Sequence, residues 1–188
     1  DDSIDHIKEL MSKKKCTLIC AGSAVTSLLA NDIVPHYCVL VERNQSVYEK
    51  HEASTEYHSS FKKICLIAAS SVDPRIHSFY KETFLYMRSS NPYSSLFPFS
   101  SIFSYTHPTS LNAALCFTLS LSPKSISLFG CDFGSYSKSY TRNKDAHGIG
   151  KYNFTSAVSG HSRTVFTNQS LNRSKEQFNA ALVSYNDP

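Results

Sequence analysis

Three short apolar runs, separated by segments long enough for a helix, constrain the fold of this chain most strongly. They are residues 16–21 (CTLICA), 37–42 (YCVLVE) and 64–69 (ICLIAA). Each run has the length of a strand, and its apolar residues are continuous, which is typical of a strand buried on both faces. Strands that alternate with helices predict an α/β fold with a mostly parallel sheet and helices on both faces.

The rest of the chain continues this alternation. We predict further strands over residues 84–87, 125–130 and 165–167. Hydrophobic periodicity predicts helices over residues 3–13, 25–31, 46–57, 74–80, 109–121 and 171–185. Residues 89–108 are rich in Ser, Pro and aromatic residues, and we expect a long loop or partly ordered lid there. Residues 131–154 read as a polar loop that contains glycine.

Composition narrows the class of protein. With 41% hydrophobic and 18% charged residues, 188 residues are expected to form one soluble globular domain. The apolar runs are far shorter than the roughly 20 residues of a membrane span, and no signal peptide is visible. The six cysteines form no C-x-x-C pair, which favours buried thiols in a reducing, cytoplasmic environment.

The net charge of +4 does not predict nucleic-acid binding. Lys13, Lys14 and Lys15 form the one dense cationic run, and it falls at the end of a predicted helix, where cations meet the negative end of the dipole. Aromatic residues do not alternate with Arg and Lys as a single-strand binding platform requires. We therefore expect neither a nucleic-acid partner nor a membrane span.

Ligands of open parallel sheets bind beyond the carboxyl ends of the strands, so the residues that follow each strand are the first candidates. Gly22 and Ser23 follow the first strand, and their N–H groups could face a phosphate or hydroxyl; an ordinary turn is the alternative. Glu42 and Asn44 follow the second strand. The Glu42 carboxylate could bind a ribose hydroxyl or simply be solvated.

Five of the six glycines lie between residues 130 and 160, which marks the region after the predicted fifth strand. Asp132 and Gly134 belong to it. The Asp132 carboxylate could position a sugar hydroxyl or cap the following turn. These two residues complete a candidate binding set of Gly22, Ser23, Glu42, Asn44, Asp132 and Gly134.

The same polar loop holds the candidate catalytic residues. An imidazole titrates near neutral pH, so His147 could act as a general base on a hydroxyl nucleophile. Tyr136 and Tyr140 precede it and could donate O–H bonds to a leaving phosphate. The alternatives are an exposed histidine without a role and tyrosine rings that pack on the surface.

Polar residues also surround the start of the helix predicted at 109–121. His107 precedes Pro108, and Ser110 and Asn112 fall in the first turn. Side chains of this kind satisfy the free N–H groups at the start of a helix. We interpret Ser110 and Asn112 as possible capping residues.

Three longer segments resemble a known family. They are residues 20–44 (CAGSAVTSLLANDIVPHYCVLVERN), 110–135 (SLNAALCFTLSLSPKSISLFGCDFGS) and 164–182 (TVFTNQSLNRSKEQFNAAL). They resemble the motility-associated-factor (Maf) glycosyltransferases, a family that includes archaeal enzymes that pyrophosphorylate hydroxymethylpterin. The sequence departs from the family at His36, where Asp is usual, and at Glu42, where Asp is common. The family motif G-x-G-P-S-L is absent.

The resemblance implies a Rossmann-like, sialyltransferase-like fold and a metal-independent enzyme with no tightly bound cofactor. It implies His147 as the base and Tyr136 and Tyr140 as the residues that assist phosphate departure. The donor would be a nucleotide-activated sugar, such as a nonulosonic acid linked to cytidine monophosphate (CMP). The acceptor would be a hydroxyl of a protein or glycan, such as a Ser or Thr of bacterial flagellin.

Two alternatives stay open. A pterin-type pyrophosphokinase of the same fold would need Mg²⁺, for which Asp132 and Asp145 are the nearest acidic pair. A non-catalytic binding module is the other. Because the glycine-rich family motif is absent, we expect residues 1–188 to be a single domain that is an internal fragment, without the first strand of the sheet.

Overall fold

The computed structural model describes residues 2–13, 16–96, 98, 101–134, 156–159 and 164–186. Its centre is a five-stranded parallel sheet in the order β1-β2-β3-β4-β5. The strands are β1 (Ile19–Ala21), β2 (Tyr37–Leu40), β3 (Cys65–Ala69), β4 (Glu82–Arg88) and β5 (Ile102–Phe103). Strand order follows chain order, so each crossover places the next strand beside the previous one.

Helices connect and cover these strands. They are α1 (Asp2–Lys13), α2 (Ala24–Leu29), α3 (Gln45–Ala53), α4 (His58–Phe61), α5 (Ser110–Ser120) and α6 (Gln169–Asn186). Short 3₁₀ helices span Thr55–Tyr57, Pro74–Phe79 and Ser94–Leu96. A separate antiparallel hairpin joins β6 (Ser156–Ser159) to β7 (Thr164–Thr167).

The core lies on both faces of the central strands. Cys38, Val39 and Leu40 in β2 are fully buried, as are Leu66 and Ala68 in β3. Burial of successive residues on both faces is what the continuous apolar runs predict. The α/β fold is therefore confirmed, and the first three predicted strands lie where the sequence places them.

Helix α5 is the element that positions the site. It packs against β1 and β2 on one side and against α6 on the other. Its sequence, SLNAALCFTLS, is apolar almost all round, as expected of a helix enclosed between a sheet and another helix. The hydroxyl of its first residue, Ser110, lies within hydrogen-bond distance of Glu42, two residues after the end of β2.

The predicted strand at residues 125–130 is wrong. The structure assigns no strand to this segment, and Leu128 is about half exposed (48%). Its apolar residues are held by side-chain packing instead: Phe129 lies 5.6 Å from the His6 ring, and Ile126 packs near Leu115. Alternating apolar residues suit a strand, but none of the described strands pairs with this segment.

Two other predictions need correction. The segment predicted as an irregular loop, residues 89–108, contains β5, which pairs with β4 through Met87 and Ile102. The last predicted strand, residues 165–167, is part of β7 and pairs antiparallel with β6 rather than joining the parallel sheet. Strand pairing depends on distant partners, so the local sequence did not reveal either arrangement.

The helical predictions hold with two refinements. The segment 74–80 forms a 3₁₀ helix capped by Asp73, whose carboxylate accepts from the Arg75 N–H at 3.0 Å. The segment 46–57 ends as an α-helix at Ala53 and continues as a short 3₁₀ turn. No helix in the described ranges is long and apolar enough to cross a membrane.

Candidate functional site

A large groove opens at the carboxyl edge of β1 and β2. Its volume is about 1720 Å³, and it extends from this edge along the whole of β1. Its walls come from α1, β1, α2, the ends of β2 and β4, α5, α6 and residues 123–134. The six predicted binding residues all line it: Gly22, Ser23, Glu42, Asn44, Asp132 and Gly134. A groove in this place agrees with the general location of ligands in parallel sheets.

Gly22 occupies a position that only glycine fits well. Its φ is +55°, and its N–H donates to the carbonyl of Val39 at 2.8 Å. A Cβ at this position would lie 3.2 Å from Ser110 Oγ and 3.7 Å from Glu42 Oε1. The left-handed backbone and the close approach of two polar side chains both require the missing Cβ.

Glu42 is fixed in the groove by Ser110. The Ser110 hydroxyl lies 2.9 Å from Oε1 and 2.8 Å from Oε2, and the Val41 N–H donates to Oε2 at 3.2 Å. Ser110 itself is buried. A carboxylate has about four acceptor positions, so an oriented Glu42 retains capacity for hydroxyl groups of a ligand.

Ser23 and Asn44 border the groove without a fixed role. Ser23 precedes α2 and makes no side-chain cap, and Asn44 precedes α3 and makes none either. Because α2 has six residues, its start supplies little of the helix dipole on which the predicted phosphate contact relied.

Asp132 and Gly134 reach the groove although no strand precedes them. Phe133, between them, has φ +51°, and its carbonyl accepts the Thr167 hydroxyl at 2.8 Å. Its ring packs against Phe178 of α6 at 5.3 Å. These contacts, rather than a strand end, hold the exposed Asp132 carboxylate at the groove.

Comparison with protein families shows the family to which this chain belongs. Residues 1–138 match the family described as "6-hydroxymethylpterin diphosphokinase MptE-like", which is well over half of the chain. The chain belongs to the MptE-like family. All six predicted binding residues lie within this matched range.

A solved structure shares the fold of this MptE-like chain. It is a MAf glycosyltransferase from Magnetospirillum magneticum AMB-1, with a TM-score of 0.80 and 24% sequence identity. The match covers 100% of the present chain and 28% of the other, so this chain spans little more than a quarter of its length. The resemblance to Maf proteins read from the sequence is confirmed. No curated protein matches the chain.

Three predicted residues lie outside the residues that the structure describes. They are the candidate base His147 and the two candidate phosphate donors, Tyr136 and Tyr140. Their roles stay predictions. Within the described residues, no group of three His, Cys, Asp or Glu side chains could hold a metal ion.

The structure adds groove residues that the sequence reasoning missed. Arg88 ends β4 and donates from Nη2 to the carbonyl of Val41 at 2.8 Å. His107 lines the groove beside it and contacts the Ser90 hydroxyl. Burial lowers the pKa of His107, and the nearby Arg88 and Arg173 lower it further. The strand-end rule would have found Arg88, since it closes the fourth strand.

Neither Ser110 nor Asn112 caps α5 as predicted, and the two side chains make different contacts. Ser110 orients Glu42 rather than capping α5. Asn112 is buried, accepts from the Thr109 hydroxyl at 2.7 Å, and donates from Nδ2 to the Ser174 carbonyl at 2.8 Å. Asn112 thus ties α5 to α6 and has a structural role.

Proposed function

We propose that this MptE-like chain binds a nucleotide-activated sugar in the groove and belongs to a glycosyltransferase. The observation that carries the proposal is the Glu42–Ser110 pair beside Gly22. It places an oriented carboxylate at the carboxyl edge of a parallel sheet, where a ribose or sugar hydroxyl would donate to it. The shared fold with a MAf glycosyltransferase supports the proposal.

The chemistry would be transfer of the sugar to a hydroxyl acceptor with release of the nucleotide phosphate. His147 would remove the proton from the acceptor hydroxyl, and Tyr136 and Tyr140 would donate hydrogen bonds to the departing phosphate. The donor is proposed to be a CMP-linked nonulosonic acid, and the acceptor a protein or glycan hydroxyl. No metal and no tightly bound cofactor would be needed.

A second candidate is a pterin diphosphokinase, which the description of the matched family favours. That reaction would use ATP with Mg²⁺ and a hydroxymethylpterin. It would place a metal near acidic residues, of which Asp132 lines the groove. Nucleotide preference separates the two candidates.

The test is a thermal-shift series with four additions: CMP, CMP with EDTA, ATP with Mg²⁺, and ATP with EDTA. We expect stabilisation by CMP that EDTA does not remove, because binding to the folded state raises its stability. Stabilisation by ATP that depends on Mg²⁺, with none by CMP, would favour the kinase. No shift with any nucleotide would favour a non-catalytic module and contradict the proposal.

The role of His147 is tested by turnover. If it is the base, His147→Ala should reduce the transfer rate by about 10²–10⁴-fold and leave CMP binding intact. His77→Ala, a change at a histidine of the 3₁₀ helix Pro74–Phe79 that does not line the groove, is the matched control and should leave the rate unchanged. An unaltered rate in His147→Ala would remove the residue from the mechanism.

A further inference from the structure

Arg88 presents an unsatisfied donor at the groove. Its Nη2 donates to the Val41 carbonyl, but its Nε is shielded from solvent and has no hydrogen-bond partner among the described residues. A guanidinium carries five N–H donors in a planar fork. A buried donor left without an acceptor costs about 1–3 kcal/mol, and more for a charged group. Arg88 therefore retains N–H donors that have no acceptor among the described residues.

Arg88 forms no ion pair with a carboxylate among the described residues. Glu42 is the nearby acidic side chain, and the neutral Ser110 hydroxyl that binds it leaves its charge in place. The charges of Arg88 and Arg173 both lower the pKa of His107, which favours its neutral form. The fixed positive charge at this wall of the groove therefore comes from the two arginines, and it attracts an anion.

Neutral donors surround the same position. The buried Tyr86 hydroxyl lies on the same face of β4, two residues earlier, behind the groove wall. Burial raises the pKa of Tyr86 well above its usual range, and the charge of Arg88 and a side-chain contact with its guanidinium oppose this rise. The phenol is therefore a neutral donor. Ser71, in the turn after β3, adds a hydroxyl at the groove wall.

We propose that Arg88 is the centre of an oxyanion-binding subsite, with Tyr86, Ser71 and His107 around it. This subsite rests on the proposed function and deepens it: it would take an anionic group of the nucleotide sugar. The shared chemistry is an oxygen anion that accepts from a guanidinium fork. Two groups of the nucleotide sugar have this chemistry, namely the phosphate of the nucleotide and the carboxylate of a sugar acid.

The experiment measures binding by isothermal titration to the wild type, Arg88→Gln and the control Lys81→Gln. Lys81 is exposed just before β4 and does not line the groove. The probes are CMP, cytidine, N-acetylneuraminic acid and inorganic pyrophosphate. We expect Arg88→Gln to weaken anion binding about 10–100-fold, the usual effect of a lost charge-assisted contact, and to leave cytidine binding unchanged.

Comparison of the probes shows whether Arg88 binds the phosphate or the carboxylate of the nucleotide sugar. A loss for CMP and not for N-acetylneuraminic acid assigns the phosphate; the reverse assigns the carboxylate. Pyrophosphate binding that Arg88→Gln abolishes, in a protein that ignores cytidine and CMP, supports the subsite and contradicts the proposed function. Equal affinity of wild type and Arg88→Gln for every anion overturns the subsite, as does a wild type that binds none of the probes.

A second variant is needed because Arg88→Gln also removes the hydrogen bond to the Val41 carbonyl, which could prevent folding. If circular dichroism shows that Arg88→Gln does not fold, Arg88→Lys retains the charge without the planar fork. We then expect several-fold weaker anion binding with folding retained. Unchanged anion affinity in Arg88→Lys would overturn the assignment of the guanidinium.

Discussion

At the scale of single residues, the groove depends on how closely three groups approach one another. Gly22, Glu42 and Ser110 come from the end of β1, the end of β2 and the start of α5, and their atoms meet within 4 Å. The Ser110 hydroxyl can lie there because Gly22 has no side chain. The orientation of Glu42 therefore depends on a residue 20 positions before it and another 68 positions after it.

This arrangement gives a prediction with a matched control. Gly22→Ala and Gly130→Ala both force alanine into a left-handed conformation, at φ +55° and +65°, which costs about 1–2 kcal/mol. At Gly22 the new methyl also meets Ser110 Oγ at 3.2 Å, whereas nothing lies within 4 Å at Gly130. We expect Gly22→Ala to lower the free energy of unfolding, measured with urea, by more than Gly130→Ala does.

The double variant Gly22→Ala/Ser110→Ala isolates the contact. Removal of the hydroxyl relieves the crowding, so the Gly22→Ala cost measured in the Ser110→Ala background should approach that of Gly130→Ala. The same Gly22→Ala cost in both backgrounds would mean that Ser110 does not limit the space at Gly22.

At the scale of elements, α5 is held to α6 by buried polar contacts as well as by apolar packing. Asn112 bonds to Thr109 and to both the hydroxyl and the carbonyl of Ser174. Leu115 and Leu119 of α5 pack with Phe178 and Ala181 of α6 in a small second core. Because the start of α5 carries Ser110, this packing also positions the groove.

Asn112→Ala should therefore destabilise the domain by about 1–3 kcal/mol, because it removes the side-chain donor to the Ser174 carbonyl and the acceptor of the buried Ser174 hydroxyl. The measurement is chemical denaturation followed by circular dichroism. Asn179→Ala, at an exposed position of α6, is the control and should change stability by less than about 0.5 kcal/mol. Equal effects of the two variants would contradict the structural role of Asn112.

Another buried polar contact fixes α3. His51 Nδ1 donates to the Val47 carbonyl at 2.7 Å, and Nε2 then accepts from the Tyr80 hydroxyl at 2.9 Å. Burial lowers the pKa of His51; the Val47 carbonyl acts in the opposite direction, and His58 adds to the lowering. The folded state therefore keeps His51 neutral at a pH where the unfolded chain already binds a proton.

The consequence for pH dependence has a definite sign. Stability from neutral His51 is complete above the unfolded pKa of about 6.5 and is lost as pH falls through the lower folded pKa. We expect His51→Gln to show a shallower loss of unfolding free energy between pH 7 and 5 than the wild type. His6→Gln, at an exposed position, should keep the wild-type slope, and an unchanged slope in His51→Gln would contradict the assignment.

At the scale of the whole molecule, the parallel sheet brings the ends of separate strands to one edge. Sequence order equals strand order from β1 to β5. Gly22, Glu42 and Ser71 follow β1, β2 and β3, and Arg88 ends β4. All four line the same groove. The site is therefore a property of the sheet rather than of any local motif.

Ligand-linked stability tests this organisation. If Glu42 accepts a ligand hydroxyl, CMP at 100 times its Kd should stabilise the wild type by about 2.7 kcal/mol. Glu42→Gln should weaken CMP binding roughly 10-fold and reduce that stabilisation at the same CMP concentration. The exposed Glu56→Gln is the charge-matched control, and identical CMP stabilisation in both variants would contradict the role of Glu42.

Much of this could be predicted from the sequence because it depends on local pattern. Continuous apolar runs specify strands buried on both faces, and residues that follow such strands must lie at the ligand edge of the sheet. Gly22, Glu42 and Asn44, which this logic selected, line the groove, and their binding roles stay predictions. The same logic placed Asp132 there for the wrong reason, since the segment before it packs through Phe129 and forms no strand.

The sequence by itself determined the α/β class and the set of strand ends from which a site could be built, because periodicity and burial are encoded residue by residue. Only the tertiary structure decided which side chains meet. The Ser110 hydroxyl on Glu42, the Arg88 contact with the Val41 carbonyl and the β4–β5 pairing all join residues that are distant in the chain. Contacts of this kind follow from how helices and strands pack in three dimensions, and no local pattern specifies them.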